Sequence, residues 1–594
     1  MSSVIRLKPH IARFIKLYEL NDPAVPAELK EKKPVKPNLT KIEYPLPVKK
    51  RDFTCFDECD GIFWYGSEYG LVRYDENAEF DYDKIMYFSA HRDLKDNHVK
   101  SLLADRDGVW VLTSSGASRI DMKTITCKEK ANILLDECVN IVSRMGFVSQ
   151  RNLRVPGDLS TPEKFAVSDN DGGFTAAFCM GELMHYDILR RTKGEDDPET
   201  KKIKDIAVKS LEACLLLAYI PGRADGFIAR TFLTPDAPVP DDGIFIRRTG
   251  DKSVVLPTSF SKRKGLVGKE IDSPDPIPER LRRVYRDAGY SDDNLIYKAD
   301  TSSDETTLHM MNICFAHRII GGQDKELDDI MMTAAERFVD HVIDNDFEFV
   351  DFHGEPTSWA KWSPRYFSEG LGWVDSCLNS AEVMMYISMA QYLLGENKKR
   401  TDAYNHLIGL GYPDLTAKHY DRSLLAGNAM KCDVIEDIMF GDHMLVTMSY
   451  LGLFMTEKNE ELRRKFKAGY LSWINTSIGR EHHPVYDIPF MISCPEEDVD
   501  TDKLAMWFYR FNTSTLASGV SLTSRYDIAK KLYRAGYAET SILLPPDEKF
   551  ISKYDRNPLE YKNEDSSGNK TVESCAQYTL AYWMGRYFGI ITEE

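Results

Sequence analysis

Residues 174–191, FTAAFCMGELMHYDILRR, carry apolar side chains at i, i+3, i+4 and i+7, the spacing that gives an α-helix one buried face. Residues 203–220 repeat the pattern after a polar loop. Further pairs follow at 304–320 with 325–344, 376–395 with 398–410 and 441–456 with 459–477, then single segments at 501–512 and 571–588. Roughly ten to twelve helices joined as hairpins exceed an ordinary bundle, and no fixed period links them as in a solenoid. The fold expected is mainly α, an (α/α)6 toroid occupying 126–594. In such a toroid the pocket lies where the inner helices begin.

Before the helices the chain has a different period. Trp64–Asp75 reads WYGSEYGLVRYD, and Trp110–Asp121, 46 positions later, reads WVLTSSGASRID. Short β-prone runs alternate with Gly- and Asp-bearing turns from Phe53 to Ile125. The second copy, with Asn97, Val99, Leu102, Asp105, Gly108, Trp110, Thr113, Gly116, Arg119 and Asp121, resembles the two-component-regulator propeller repeat. A period of this length suits a four-stranded blade. Two blades cannot close a ring, so 52–125 is expected as a small β domain docked on the helices, with Trp64 and Trp110 in equivalent core positions. Residues 22–50 are rich in Pro and Lys without periodicity, and 1–51 is expected as an arm or linker.

The chain of 594 residues has a net charge of −17, which argues against a nucleic-acid or anionic-membrane surface. With no long uncharged apolar run and no secretory leader pattern at the first residues, a cytoplasmic location is expected. The eleven cysteines are mostly scattered singly in apolar segments and read as buried thiols. Cys55 and Cys59 lack a second pair or a neighbouring His, so no zinc site is expected there. No dinucleotide, P-loop or nucleophile-elbow motif is present, and no metal or other cofactor is called for.

Polar and aromatic residues concentrate where the helices begin. Asp169 and Asp171 precede the first long helix in SDNDGGF, two carboxylates where one cap would suffice. In KADTSSDETTLHMMN, Ser302 and Glu305 form a capping box, leaving Asp300 and Asp304 for chemistry. Asp304, in a first helical turn, suits a general acid or base. TSWAKWSPRYFSEGLGW gathers Trp359, Trp362, Tyr366 and Trp373 with Arg365 on a loop, the composition of a stacking platform for sugar rings. FGDHMLVTM offers His443, with Asp442 as its cap, and GREHHPVYD offers His483 and Tyr486.

Four stretches, Asp169–Ala176, Gly226–Thr231 (including Arg230), Asp300–Glu305 and Trp359–Pro364, resemble those of a group of bacterial helical-toroid proteins that often accompany regulator-type propeller repeats. That group is similar in fold to glycoside hydrolases and unsaturated glucuronyl hydrolases, whereas FGDHML departs from its more acidic helix start. The resemblance implies an enzyme cleaving a glycosidic bond of a glycoside or uronic-acid oligosaccharide by carboxylate acid/base catalysis. Asp304, Asp171, Asp169 and His443 are the expected catalytic residues. Trp359, Trp362, Arg365, Tyr366, Asp300, Arg230, His483 and Tyr486 are the expected substrate-binding ones. The alternatives are a lyase with Tyr366 or His443 as base and Arg365 neutralising the uronate, a non-catalytic carbohydrate sensor, and a cyclase-like enzyme. The partner expected is a small-molecule or oligosaccharide substrate.

Overall fold

The structure is a computed structural model describing residues 4–39, 45–165, 169–417, 441–476, 482–532, 538–561 and 567–593. The helical pairs form as the periodicity predicts. They span Asp171–Lys193 with Pro198–Tyr219, Ser303–Ala316 with Lys325–Asp344, Gly370–Leu394 with Lys398–Gly409, and Asp442–Thr456 with Glu460–Thr476. The Asp171 helix packs on the Ser303 helix and on Ala576–Tyr587, while the Asp442 helix packs on the Ser303, Gly370 and Pro484–Ser493 helices. They share one large hydrophobic core, into which polar side chains such as Glu182, His309 and Glu382 are also buried.

The fold class expected from the sequence is nevertheless wrong. The protein is 43 % helical and 20 % strand, with seven small sheets and no closed barrel or propeller among the described residues, so it is not a mainly-α (α/α)6 toroid. The largest of these sheets lies between the Pro198–Tyr219 and Ser303–Ala316 helices, in a stretch with no regular apolar period. Its order is Thr231–Leu233, Leu295–Lys298, Phe245–Thr249, Lys252–Val255 and Glu270–Asp272, all antiparallel. Strands of three to five residues are too short to establish a period of two. Arg248 breaks the alternation further, because it is buried and donates to the carbonyls of Tyr219, Ile220 and Asp275.

The repeat builds two blade-like sheets. The first runs Phe53–Cys59, Ile62–Ser67, Gly70–Asp75, Ile85–Phe88. The second contains the corresponding Val99–Asp105, Gly108–Thr113 and Ala117–Ile125, but its fourth strand is His10–Tyr18, paired along its whole length with Ala117–Ile125. The positions that match Ile85–Phe88 lie instead in the helix Cys127–Glu137. Residues 1–51 are therefore not simply an arm. His10–Tyr18 completes the second blade-like sheet, and Ile5–Leu7 also pairs in parallel with Ile591–Glu593. No described helix is long and apolar enough to cross a membrane.

Trp64 and Trp110 occupy the same register, opposite Arg73 and Arg119, and each Arg pairs with the Asp two residues on. Their surroundings differ. Trp64 is 2 % exposed in the core between the sheets, whereas Trp110 is only half-buried, against Tyr18. Trp64→Ala is therefore expected to cost about 3–5 kcal/mol, and Trp110→Ala clearly less, by chemical denaturation. Equal losses at the two positions would contradict this packing.

A buried ionic network joins the sheets to the helices. Arg510 contacts Asp547 at 2.9 Å, Glu548 at 2.7 Å and Asp83 at 3.4 Å. Arg13 pairs with Asp93 and Asp547, and Arg525 with Glu548. All seven side chains are buried. The 547–554 segment that leaves this network ends on Tyr554, close to Asp304.

Candidate functional site: a buried carboxylate cluster

The starts of the Asp171, Ser303 and Asp442 helices come together beside the middle of the Gly370 helix, at Glu382. The approach of the first two is set by a glycine pair: a Cβ on Gly172 would stand 3.0 Å from Glu305 Cγ, and one on Gly173 3.5 Å from the Asp304 carbonyl oxygen. The Ser303 helix is capped from within, since the Ser302 N–H and hydroxyl both donate to Glu305 Oε2, at 3.3 and 2.7 Å. This engages Glu305; the neighbouring Asp304, a partly exposed residue, has its carboxyl hydrogen-bonded to Ser302 and within reach of the charges of Glu305 and Asp442.

Asp304 shares the cluster with Glu305, with Asp442 at the start of its own helix, and with Glu382 on the Gly370 helix. Glu382 is wholly buried, accepting from Trp362 Nε1 at 2.8 Å and from the Thr307 hydroxyl at 3.2 Å. Thr307 also lies 2.6 Å from the Tyr386 hydroxyl, which meets Thr306 at 3.0 Å. Burial, with the charges of Glu305 and Asp442 beside it, pushes the Asp304 carboxyl up to about 7; Arg230 opposes the shift. Burial pushes Glu382 up to about 8 against the Trp362 hydrogen bond, and the charges of Asp442 and Asp304 add to the rise.

The other expected residues fall into three groups. Arg230, Asp169 and Asp300 stand beside Asp304 but are occupied with one another and with their loops. Arg230 donates to the carbonyls of Asp169 at 3.0 Å and Asp300 at 3.4 Å, Asp169 pairs with Lys298 at 2.5 Å, and Asp300 accepts from Ser358 N–H at 3.0 Å. Asp171 is buried, held by Arg144 at 3.1 Å and by the Thr231 hydroxyl. These contacts tie its helix to the five-stranded sheet, a structural duty that sets it apart from Asp304.

The aromatic platform is divided. Trp359 is 56 % exposed and Trp373 43 %, as a stacking surface requires. Trp362 is 0 % exposed, and its role is to hold Glu382. Arg365 is exposed, and the buried Tyr366 donates to Asp375 at 3.2 Å. The third group is packed in the core. His443 lies edge-on to Trp473 and Tyr486, the Tyr486 hydroxyl donates to the Tyr554 carbonyl, and His483 Nδ1 accepts from Val485 N–H, capping the Pro484 helix.

Glu382 was missed by the sequence reading, and Asp442 was read only as a cap. The signal for Glu382 was a single carboxylate in NSAEVMMYISM, a segment apolar all round, where an unpaired charge would be costly. Its raised pKa gives a test. The folded protein keeps a proton on Glu382 that the unfolded chain releases near pH 4.5, so Glu382 lowers stability progressively as pH rises from there to about 8. Glu382→Gln retains an acceptor for Trp362 without the charge. Its melting temperature relative to the parent is expected to climb across that window and level off above it. A difference independent of pH would contradict the buried carboxyl.

No protein-family model matches the chain, and no curated protein matches it.

Proposed function

We propose that the chain cleaves glycosidic bonds, with Asp304 as general acid and Asp442 as general base. The observation that carries this reading is the placement of two partly exposed aspartates in the first turns of two adjoining helices, within electrostatic reach of each other and backed by the buried Glu382. A carboxyl raised to about 7 retains a transferable proton near neutrality. Asp304 would give that proton to the leaving oxygen while Asp442 takes one from the attacking water, so that protons balance over the reaction. Glu382, behind them, acts by positioning and by electrostatics. Trp359, on the strand whose Ser358 holds Asp300, supplies an exposed indole for the apolar face of a sugar ring.

The lyase alternative has less support, because Tyr366 is tied to Asp375, His443 is packed between aromatic rings and Arg365 lies in the exposed part of its loop. Turnover of a panel of neutral aryl glycosides, aryl uronides and unsaturated oligouronides tests the reading. Hydrolysis of at least one, falling as pH rises through about 7 while Asp304 loses its proton, is the expected result. Absence of turnover across the panel, or release of unsaturated products from saturated uronides, would overturn it.

A further inference from the structure

The two outermost strands of the five-stranded sheet, Lys252–Val255 and Glu270–Asp272, are joined by residues 256–269. In this connection the run SFSKRKGLVGK, residues 259–269, carries Lys262, Arg263, Lys264 and Lys269 and no acidic side chain. The chain around it has a net charge of −17. The loop is tied down from within. Thr258 and Ser261 form a capping box at the start of the short helix Ser259–Arg263, where Ser261 N–H donates to the Thr258 hydroxyl at 3.1 Å. Ser261 and Leu266 are buried, and Leu266 N–H donates to the Ser261 carbonyl at 2.9 Å, which folds the second half back on the first. Gly268 N–H closes the loop onto the Val255 carbonyl at 3.0 Å.

What these anchors leave outside is cationic and apolar together. All four cations are exposed, and among the described residues none forms an ion pair. Asp241 is within electrostatic reach of Lys262, but it is engaged by Ser259 N–H at 2.5 Å and by the Ser259 hydroxyl. Arg263 lies over the Phe260 ring at 4.4 Å, and Lys269 over that of Phe352 at 5.6 Å. Phe260 is 39 % exposed and Val267 44 %, one on each side of the basic run. Cations beside exposed apolar side chains on a preformed loop match an anionic bilayer, whose headgroups take the charges and whose acyl boundary takes the apolar groups. An acidic polypeptide would engage the cations but offers Phe260 and Val267 no such layer. At ordinary salt, exposed charges more than about 10 Å away are screened, so a nearby surface meets this loop and not the net charge.

We propose that this loop docks the chain peripherally on an anionic membrane surface, with Lys262, Arg263, Lys264 and Lys269 on the headgroups and Phe260 and Val267 at the acyl boundary. Docking there is independent of glycoside cleavage. Co-sedimentation of the full chain with vesicles tests it, comparing phosphatidylcholine alone with phosphatidylcholine containing about 30 mol % phosphatidylserine. Partition onto the anionic vesicles is expected to be at least ~10-fold stronger at ~0.1 M salt and to fall several-fold by ~0.5 M. The double variant Lys262→Glu, Lys264→Glu should bring it down to the level of neutral vesicles. Phe260→Ser should lower it several-fold, as loss of an inserted ring predicts. These side chains are exposed, so the substitutions spare the buried anchors Ser261 and Leu266. Equal partition onto both kinds of vesicle, or unchanged partition in either variant, would overturn the proposal. So would binding to soluble polyglutamate without binding to anionic vesicles, which would assign the loop to an acidic polypeptide instead.

Discussion

Replacing Asp304 by Asn is expected to lower turnover of a responsive glycoside at least ~10²-fold while leaving its dissociation constant nearly unchanged. Asn keeps the size of the side chain and removes only the transferable proton. Loss of a helix cap cannot account for such a fall, because the cap is supplied by Ser302 and Glu305. The variant should also fold at least as stably as the parent near neutrality, since it removes a carboxyl whose ionisation is resisted. Trp359→Ala should separate from it by weakening binding more than turnover, as loss of a stacking surface does. Full turnover by Asp304→Asn would remove Asp304 from the chemistry.

The second large effect is on stability. Arg510→Met is expected to cost about 3–5 kcal/mol, because it leaves Asp83, Asp547 and Glu548 buried without their shared cation. The Glu548 carboxyl, held at about 2 by Arg525 and Arg510 against the cost of burial, should rise in the variant. Stability that Glu548 contributes above the ordinary carboxylate range would then be lost at higher pH than in the parent. Urea denaturation at two pH values checks both effects. A cost below ~1 kcal/mol would mean that this network does not bind the sheets to the helices.

The helices were legible because each repeats its apolar face over three turns or more. The blade-like sheets were legible because Trp, Gly, Arg and Asp mark equivalent turns and registers in both copies. The fourth strand of the second blade was not, since His10–Tyr18 lies about a hundred residues from its partner and no local pattern announces so remote a pairing. The helix Pro484–Ser493 was hidden by prolines at its first position and in its interior.

At the candidate site, the position of Asp304 in a first helical turn beside a self-contained capping box was legible in the sequence. Trp362 was misread because the sequence cannot tell an indole on a loop from one turned into the core. His483, Tyr486 and Asp171 were polar residues at helix starts for the ordinary reason, capping and tying down those starts.

The central claim is that Asp304 holds a transferable proton near neutral pH, and it can be tested without any substrate. Carbon-13 NMR of the protein labelled at the aspartate carboxyl carbons follows each Asp through its titration. A resonance titrating at about 7, absent from Asp304→Asn and shifted in Asp442→Asn, is the predicted result. If the resonance lost in Asp304→Asn instead titrates in the ordinary carboxylate range near 4, Asp304 is already ionised at neutrality and the acid/base account fails.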